Sequence, residues 1–419
     1  MRLQLTSTSE EDESVRQRAS SPWPRLDRPI VAGVIAFVAW LGFVLARWQI
    51  WANGNLSKFI LLGSGRTGFT NPAQLPRGVV LGDPNQAGYD GQFYYRLALN
   101  PFNWARTAYG ITMDQSYRYT RIGYPVLAWL VSFGQHQLVP YVLVLINLFG
   151  VAVMAVLGGM FARASGRHAL FGLAFAAYFG LVISVGRDTA EPVAEACLLG
   201  GLLAYRQTRY LLAAGLFAFG AITRETILLA PAAIAVVRLV QMARRRTRPG
   251  LADLTWVAPA VAYGVLEVAV HFVVKGQFPL LANTSRNLTT PFTALYDALR
   301  YEVGHISTAH LSPIDIALLE YATVAVFIVA GLAAGKVTEA PVHERLAFVF
   351  FVLELGLLSS QIWTSTFGDG RSLIEVYLMA LILLVATPRR YLSSLNLALI
   401  VAWVLPALLI VARRRALYM

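Results

Sequence analysis

Residues 30–50, 138–161 and 254–274 are each apolar over about 20 positions, the length a helix needs to cross a bilayer core roughly 30 Å thick. Hydrophobic residues make up 57% of the chain against 14% charged, which is too apolar for a soluble domain of 419 residues. Lipid must therefore serve as solvent, and the class expected is an all-α polytopic membrane protein. Other runs, such as 210–222, are too short to span alone. Short or broken helices survive in lipid only where protein or a water-filled cavity satisfies their backbone groups, so an internal cavity is expected.

The net charge of +12 would suggest nucleic acid in a soluble protein. Here much of the arginine stands in clusters beside apolar runs, at Arg244 to Arg246, Arg389 and Arg390, and Arg413 to Arg415. These read as topology signals and headgroup anchors, with membrane lipids and not nucleic acid as partners. Cys197 is the one cysteine, which rules out an internal disulfide and a thiolate metal cluster from one chain. Residues 1–28 have the composition of a disordered cytosolic tail. Arg47 and Trp48 follow the first apolar run in place of a small-residue cleavage site, which favours an uncleaved anchor helix over 29–50.

Placing the basic stretch at 16–28 and the cluster at 244–248 both inside requires an even number of crossings between them. Residues 122–133 are short, carry Tyr124-Pro125 and end in a polar turn, so they are expected to lie along the outer surface as a juxtamembrane helix. The organisation is then a first helix over 29–50, an extracytoplasmic loop over 51–137, a bundle over 138–250, and C-terminal helices over 251–419 with outer loops at 275–313 and 363–372. Gly186-Arg187-Asp188, Thr223-Arg224-Glu225 and 364–371 fall on the same outer side as the first loop. Only Arg413 to Arg415 run against this count.

The first loop holds Gly88-Tyr89-Asp90-Gly91-Gln92-Phe93-Tyr94-Tyr95-Arg96 and Tyr117-Arg118-Tyr119-Thr120-Arg121-Ile122-Gly123-Tyr124-Pro125. A carboxylate beside a glycine and among aromatic rings suits a close-fitting polar pocket, because glycine admits a ligand near the backbone and aromatic faces pack on sugar-like rings. Asp90 is a candidate general base; the alternative is that it caps a loop helix.

These two strings resemble a bacterial family of membrane proteins linked to cell-surface glycopolymer formation, which looks like part of the GT-C glycosyltransferase superfamily. The likeness is strongest over residues 88–125 and weaker over 216–229. It implies a GT-C-like helix bundle with juxtamembrane helices in a long first extracytoplasmic loop, a plasma (inner) membrane location, and an active site on the outer face. It further implies a polyprenyl phosphate sugar as donor, a glycan or glycolipid as acceptor, and Asp90 as the catalytic base of an inverting single displacement. The superfamily's paired acidic motif is missing as adjacent residues, so a divalent metal requirement stays open.

A leaving lipid phosphate needs fixed positive donors, and arginine binds phosphate oxygens in pairs. Arg118, Arg121, Arg224 and Arg371 are the candidates, with Tyr89, Gln92, Tyr94, Tyr124 and Glu225 as further substrate-binding residues. Arg224 sits between two apolar runs, where a buried charge costs about 2.5 to 3.5 kcal/mol and demands a cavity or a partner. Its alternative role is an interfacial pair with Glu225. Asp188, Glu191 and Glu195 follow helical spacing, which allows an acidic stripe lining the cavity or, as the favoured reading, pairing with Arg187 at the surface. Glu267, His271, Glu354 and Glu375 read as buried polar contacts. His136, His305, His310 and His343 lack zinc spacing. Asn283-Thr284-Ser285 matches a glycosylation triplet too common to carry weight.

Gly63-Ser64-Gly65-Arg66 lacks the lysine and spacing of a nucleotide-phosphate loop, which argues against a nucleotide-powered pump. Two function classes remain: a lipid-linked sugar transferase, and a non-enzymatic flippase or transporter. Transporters usually gather their polar groups on broken helices in repeated halves. This chain gathers them in one loop with no second copy, which favours the transferase.

Overall fold

The computed structural model describes residues 25–82, 84–245, 248–305, 313–363 and 369–388. Most of the N-terminal tail, Arg246, His310, residues 364–368, Arg389, Arg390 and Arg413 to Arg415 lie outside the described residues, together with the expectations placed on them. The helices run α1 (Pro29–Ile50), α2 (Gly91–Leu99), α3 (Gly123–Val131), α4 (Val139–Ala164), α5 (Gly172–Phe175), α6 (Gly180–Gly186), α7 (Glu191–Arg206), α8 (Tyr210–Thr223) and α9 (Leu229–Arg245). They continue through α10 (Leu254–Val274), α11 (Pro279–Asn287), α12 (Thr293–Gly304), α13 (Pro313–Gly335), α14 (Val342–Leu357), α15 (Ser360–Trp363), α16 (Asp369–Ser372) and α17 (Ile374–Val385). The strands among the described residues are β1 (Thr107–Ala108) and β2 (Ile111–Thr112), an antiparallel pair with Thr107 opposite Thr112.

Four of the described helices are long and apolar enough to cross a membrane, and the bent pair Ala169–Phe175 and Gly180–Gly186 makes five if it counts as one span. The chain is an all-α membrane protein. Its first helix shows how the sequence arranges this. Proline stands in the first turn of α1, where its missing N–H is no loss, and Arg47 stands in the last turn beside the unpaired carbonyls. One side of α1 lies on α4, an approach that Gly33 allows, since a Cβ there would stand 2.4 Å from Val156 Cγ2. The other side leaves Ile30, Val34, Val38 and Leu45 exposed, a surface suited to lipid.

α4 is the central post, and α1 and α7 both pack on it. α7 continues to α8 and α8 to α10, while α9 pairs with α14 and α13 with α17. The short α8 is the element that the sequence led one to expect, and Arg224 at its end borders a cavity; a second break, the 71° bend between α5 and α6, lies elsewhere.

The first loop is a folded cap. Phe93, Tyr95, Leu97, Leu99, Ile111, Met113 and Tyr119 form a second core cluster that rests on Val139, Leu143 and Ile146 at the start of α4. Buried Arg96 sits inside this cap, with its guanidinium donating to the carbonyls of Asn103 and Ala105. The Tyr119 hydroxyl donates to the same Ala105 carbonyl at 3.1 Å. α3, over Gly123–Val131, is the short helix expected within 122–133.

Gly91 is where the cap meets the bundle. A Cβ at this position would stand 2.3 Å from the Arg187 carbonyl oxygen and 2.7 Å from that of Ile60, both backbone atoms with no rotamer to yield. Gly91→Ala is therefore expected to destabilise the protein by about 1–3 kcal/mol, seen as a lower melting midpoint in detergent. Gly264→Ala, in open space inside α10, is expected to leave the midpoint unchanged or raise it, because alanine favours helix over glycine.

Candidate active site

A cavity of about 720 Å³ opens between the cap, the bundle and α11. Its wall carries five arginines, Arg118, Arg121, Arg224, Arg286 and Arg371, and four carboxylates, Asp90, Glu191, Glu225 and Glu354. A second stretch of wall is apolar, with Leu228 and Leu229 beside Phe350, Leu353, Leu357 and Leu358. Phe350, Leu353, Glu354 and Leu357 follow the spacing of one helix face on α14. Leu353 is 53% exposed, so the apolar wall reaches the outer surface of the bundle.

Asp90 stands at the N-cap of α2 but its side chain makes no capping bond. It lies instead between two guanidiniums, with Oδ1 2.7 Å from Arg118 Nη1 and Oδ2 2.6 Å from Arg371 Nη2. Arg118 also binds Asp114 through Nε at 3.0 Å, and Arg371 Nε lies 3.2 Å from Glu191. Glu191 meets Arg224 Nη1 at 3.0 Å, and Arg224 Nε lies 3.2 Å from Glu375. Arg121 forms a two-pronged pair with Glu225, Nε to Oε2 at 2.9 Å and Nη2 to Oε1 at 2.5 Å. Alternating charges thus run as one chain from Asp114 to Glu375, and breaking any buried member would strand its neighbour.

Aromatic faces lie against the cations. Arg187 and Arg371 lie over Tyr89 at 4.7 and 5.1 Å, and Arg118 and Arg121 over Tyr117 at 4.9 and 5.0 Å. The negative face of each ring attracts both guanidiniums it touches and lowers the cost of their proximity. The aromatic residues flanking Asp90 and Arg118 in the sequence therefore organise the charges directly.

α11 roofs the cavity and is pinned on four sides. Glu267 of α10 accepts from the Leu280 N–H at 3.0 Å in the first turn, and Asn283 Nδ2 donates to Glu225 at 2.6 Å. Arg286 Nη1 donates to Asp114 Oδ2 at 2.8 Å and its Nε to Gln361 Oε1 at 3.4 Å.

The structure thus brings Tyr89, Asp90, Arg118, Arg121, Arg224, Glu225 and Arg371 to one cavity. Gln92, Tyr94 and Tyr124 are not in its wall. Gln92 is buried and serves the cap, accepting from Thr70 Oγ1 at 3.2 Å and donating to the Ala87 carbonyl at 3.0 Å. Tyr94 packs edge-on against Tyr124, whose hydroxyl donates to the Leu143 carbonyl and accepts from Asn147. All nine residues of α2 are buried, so helical spacing gave no sign of which side faced a ligand.

The acidic group at 188–195 also departs from expectation. Asp188, Glu191 and Glu195 are buried, and α7 begins only at Glu191, leaving Asp188 in the preceding turn with a φ of +48°. A charge near a helix end in lipid turns inward to find a partner, and Glu191 finds two. Asp114, Asn283, Arg286, Glu354 and Glu375 are the neighbours that sequence reasoning did not place at the site, and Glu191 takes the cavity-lining place that was the less favoured of its two readings. The four-residue spacing from Asp114 to Arg118 was the one available signal. Among the described residues no group of three His, Cys, Asp or Glu side chains is arranged to hold a metal ion.

Comparison with protein-family models, with curated proteins and with solved structures finds no match for this chain.

Chemically, the arrangement holds a carboxylate ionised beside a cluster of partly committed cations. Burial acts to raise the Asp90 carboxyl, but Arg118 and Arg371 outweigh it and hold the group well below the usual carboxylate range. Burial acts to lower Arg118, and Asp90 outweighs that in turn, so the guanidinium stays charged. Arg118 Nη2, Arg121 Nη1 and Arg224 Nη2 take no part in the bonds above, and Arg371 Nη1 has no hydrogen-bond partner among the described residues. These are the nitrogens through which an anion would bind.

Because the folded carboxyl sits below its unfolded value, its ionised pairing stabilises fully above about pH 4 and is lost as pH falls toward the folded value. The difference in melting midpoint between wild type and Asp90→Asn is thus expected to be constant above pH 5 and to narrow below pH 4. A difference that stays flat from pH 5 to pH 2 would contradict this assignment.

Proposed function

We propose that this chain is a membrane glycosyltransferase of GT-C type that moves a sugar from a polyprenyl phosphate carrier to a cell-envelope glycolipid or glycopolymer. It acts on the extracytoplasmic face of the plasma (inner) membrane. The observation that carries the reading is the join of two surfaces in one cavity: an arginine cluster around Asp90, and an apolar wall along α9 and α14 that reaches the outer surface of the bundle. A lipid phosphate needs both, cations for the headgroup and a greasy path for the tail.

In this reading the acceptor hydroxyl attacks the anomeric carbon while Asp90 takes its proton. The bond from that carbon to the phosphate oxygen breaks, and the electron pair leaves on the phosphate. The spare nitrogens of Arg118, Arg121 and Arg224, with Arg371, stabilise that growing charge. One displacement inverts the anomeric centre.

The pairing of Asp90 adds a requirement. A carboxylate held by two guanidiniums is a weak base, so a donor phosphate has to draw Arg118 or Arg371 toward itself before Asp90 can accept a proton. Donor binding and base activation are then one event.

A second reading has an observation of its own. The placing of Arg224 between α8 and α9 puts a charge at a helix break, as carriers do, so a flippase of lipid-linked sugars is the competing assignment.

The test uses purified protein in lipid, radiolabelled polyprenyl phosphate sugars and an envelope extract as acceptor. Wild type is expected to transfer label, and Asp90→Asn, at equal folded yield, to lose about 10²- to 10⁴-fold, the range of a general base. No transfer from any donor, with carrier movement across the bilayer that survives Asp90→Asn, would overturn the enzyme reading in favour of the flippase.

A further inference from the structure

We infer that the cavity-facing side of α11, together with Gln361 on α15, is a binding site for the hydroxyl groups of a neutral sugar, the terminal residue of the acceptor. This deepens the transferase reading and rests on it.

The sequence leaves the shape of the outer stretch from 275 to 313, on which the choice of acceptor would depend, unread, and the structure folds part of it as a helix over the cavity. Leu280, Asn283, Thr284 and Asn287 follow three- and four-residue spacing and all line the cavity. Leu281, one position off that face, is 61% exposed. An apolar lining would be the cheap way to cover an apolar wall. α11 instead presents two side-chain amides and a hydroxyl, and Gln361 adds a third amide at the mouth.

The bonds among these amides fix which way each one points. Asn283 donates through Nδ2 to Glu225 and accepts from Asn287 Nδ2 through Oδ1. Asn287 is thereby oriented with its Oδ1 outside that bond. Gln361 accepts from Arg286 Nε through Oε1, which leaves its Nε2 hydrogens to donate. An open acceptor and an open donor on separate residues match a sugar hydroxyl, which both gives and takes a hydrogen bond.

Charge separates this end of the cavity from the Asp90 end. The Arg286 guanidinium is held by Asp114, and Glu225 by Arg121, so the α11 side offers paired charges and neutral amides. A phosphate or carboxylate gains little there, whereas a neutral polyol gains oriented partners. The phosphate is drawn to the spare guanidinium nitrogens, and the neutral acceptor approaches from the roof. The two substrates then meet at Asp90 from different sides.

The experiment uses full-length protein in lipid nanodiscs and a panel of neutral octyl glycosides, with an octyl glucuronide as the charged comparison. Binding is measured by calorimetry, and acceptor KM by transfer at saturating donor. Asn287→Ala and Gln361→Ala are each expected to weaken neutral glycoside binding, and to raise acceptor KM, by about tenfold, the scale of one or two lost hydrogen bonds. Leu281→Ala, on the outward face, is expected to change neither. Gln361 is exposed at the mouth, so its variant keeps the test open if Asn287→Ala fails to fold.

Unchanged glycoside affinity in both amide variants overturns the inference, as does preferential binding of the glucuronide. The binding arm is independent of catalysis. If wild type transfers no sugar but binds neutral glycosides in a manner that depends on Asn287 and Gln361, the transferase reading fails and the sugar site stands.

Discussion

A carboxylate taken out of bulk water needs cations, and Asp90 obtains them from arginines 28 and 281 residues away in the chain. That demand closes the structure. The cap that carries Asp90 and Arg118 is tied to the late segment that carries Arg371, and Arg371 is tied through Glu191 to Arg224. Replacing any one of these residues by an apolar one would leave each of its neighbours short of one charge partner in a buried place, which is costlier than never having buried them. The network therefore fixes relative positions more than it adds stability.

The same network gives the cavity its two-sided character. Each arginine is tethered by one or two carboxylates yet keeps a nitrogen outside those bonds, so the site stays assembled when empty and still holds capacity for an anion. The rings of Tyr89 and Tyr117 each hold two cations within about 5 Å of the ring centre. In the proposed reaction, binding an anion redistributes existing partners, and Asp90 gains basicity as its own partners turn away.

Much of this was legible in the sequence. Apolar runs of membrane length marked α1, α4 and α10, and the short runs pointed to an internal cavity. Burying an arginine in an apolar context is expensive enough that Arg224 had to find a partner or a cavity, and it found both. Chemistry-bearing residue types in the cap singled out Asp90, Arg118 and Arg121. Orientation on α2 was not legible, because a helix buried on every side shows no polar face, and Gln92 and Tyr94 proved to support the cap. Nor was the inward turn of Glu191, since spacing alone does not say which side of a bundle a helix end faces. The role of α11 depends on contacts with Asp114, Glu225 and Gln361, which lie far from it in sequence.

The account's central claim is that one carboxylate, Asp90, performs a single displacement with no covalent sugar-enzyme stage. The configuration of the newly formed glycosidic bond tests this most directly, read by NMR on product made from a donor of known anomeric form. The account predicts inversion in every turnover. Retention of the donor's configuration would require a second nucleophile and would contradict it.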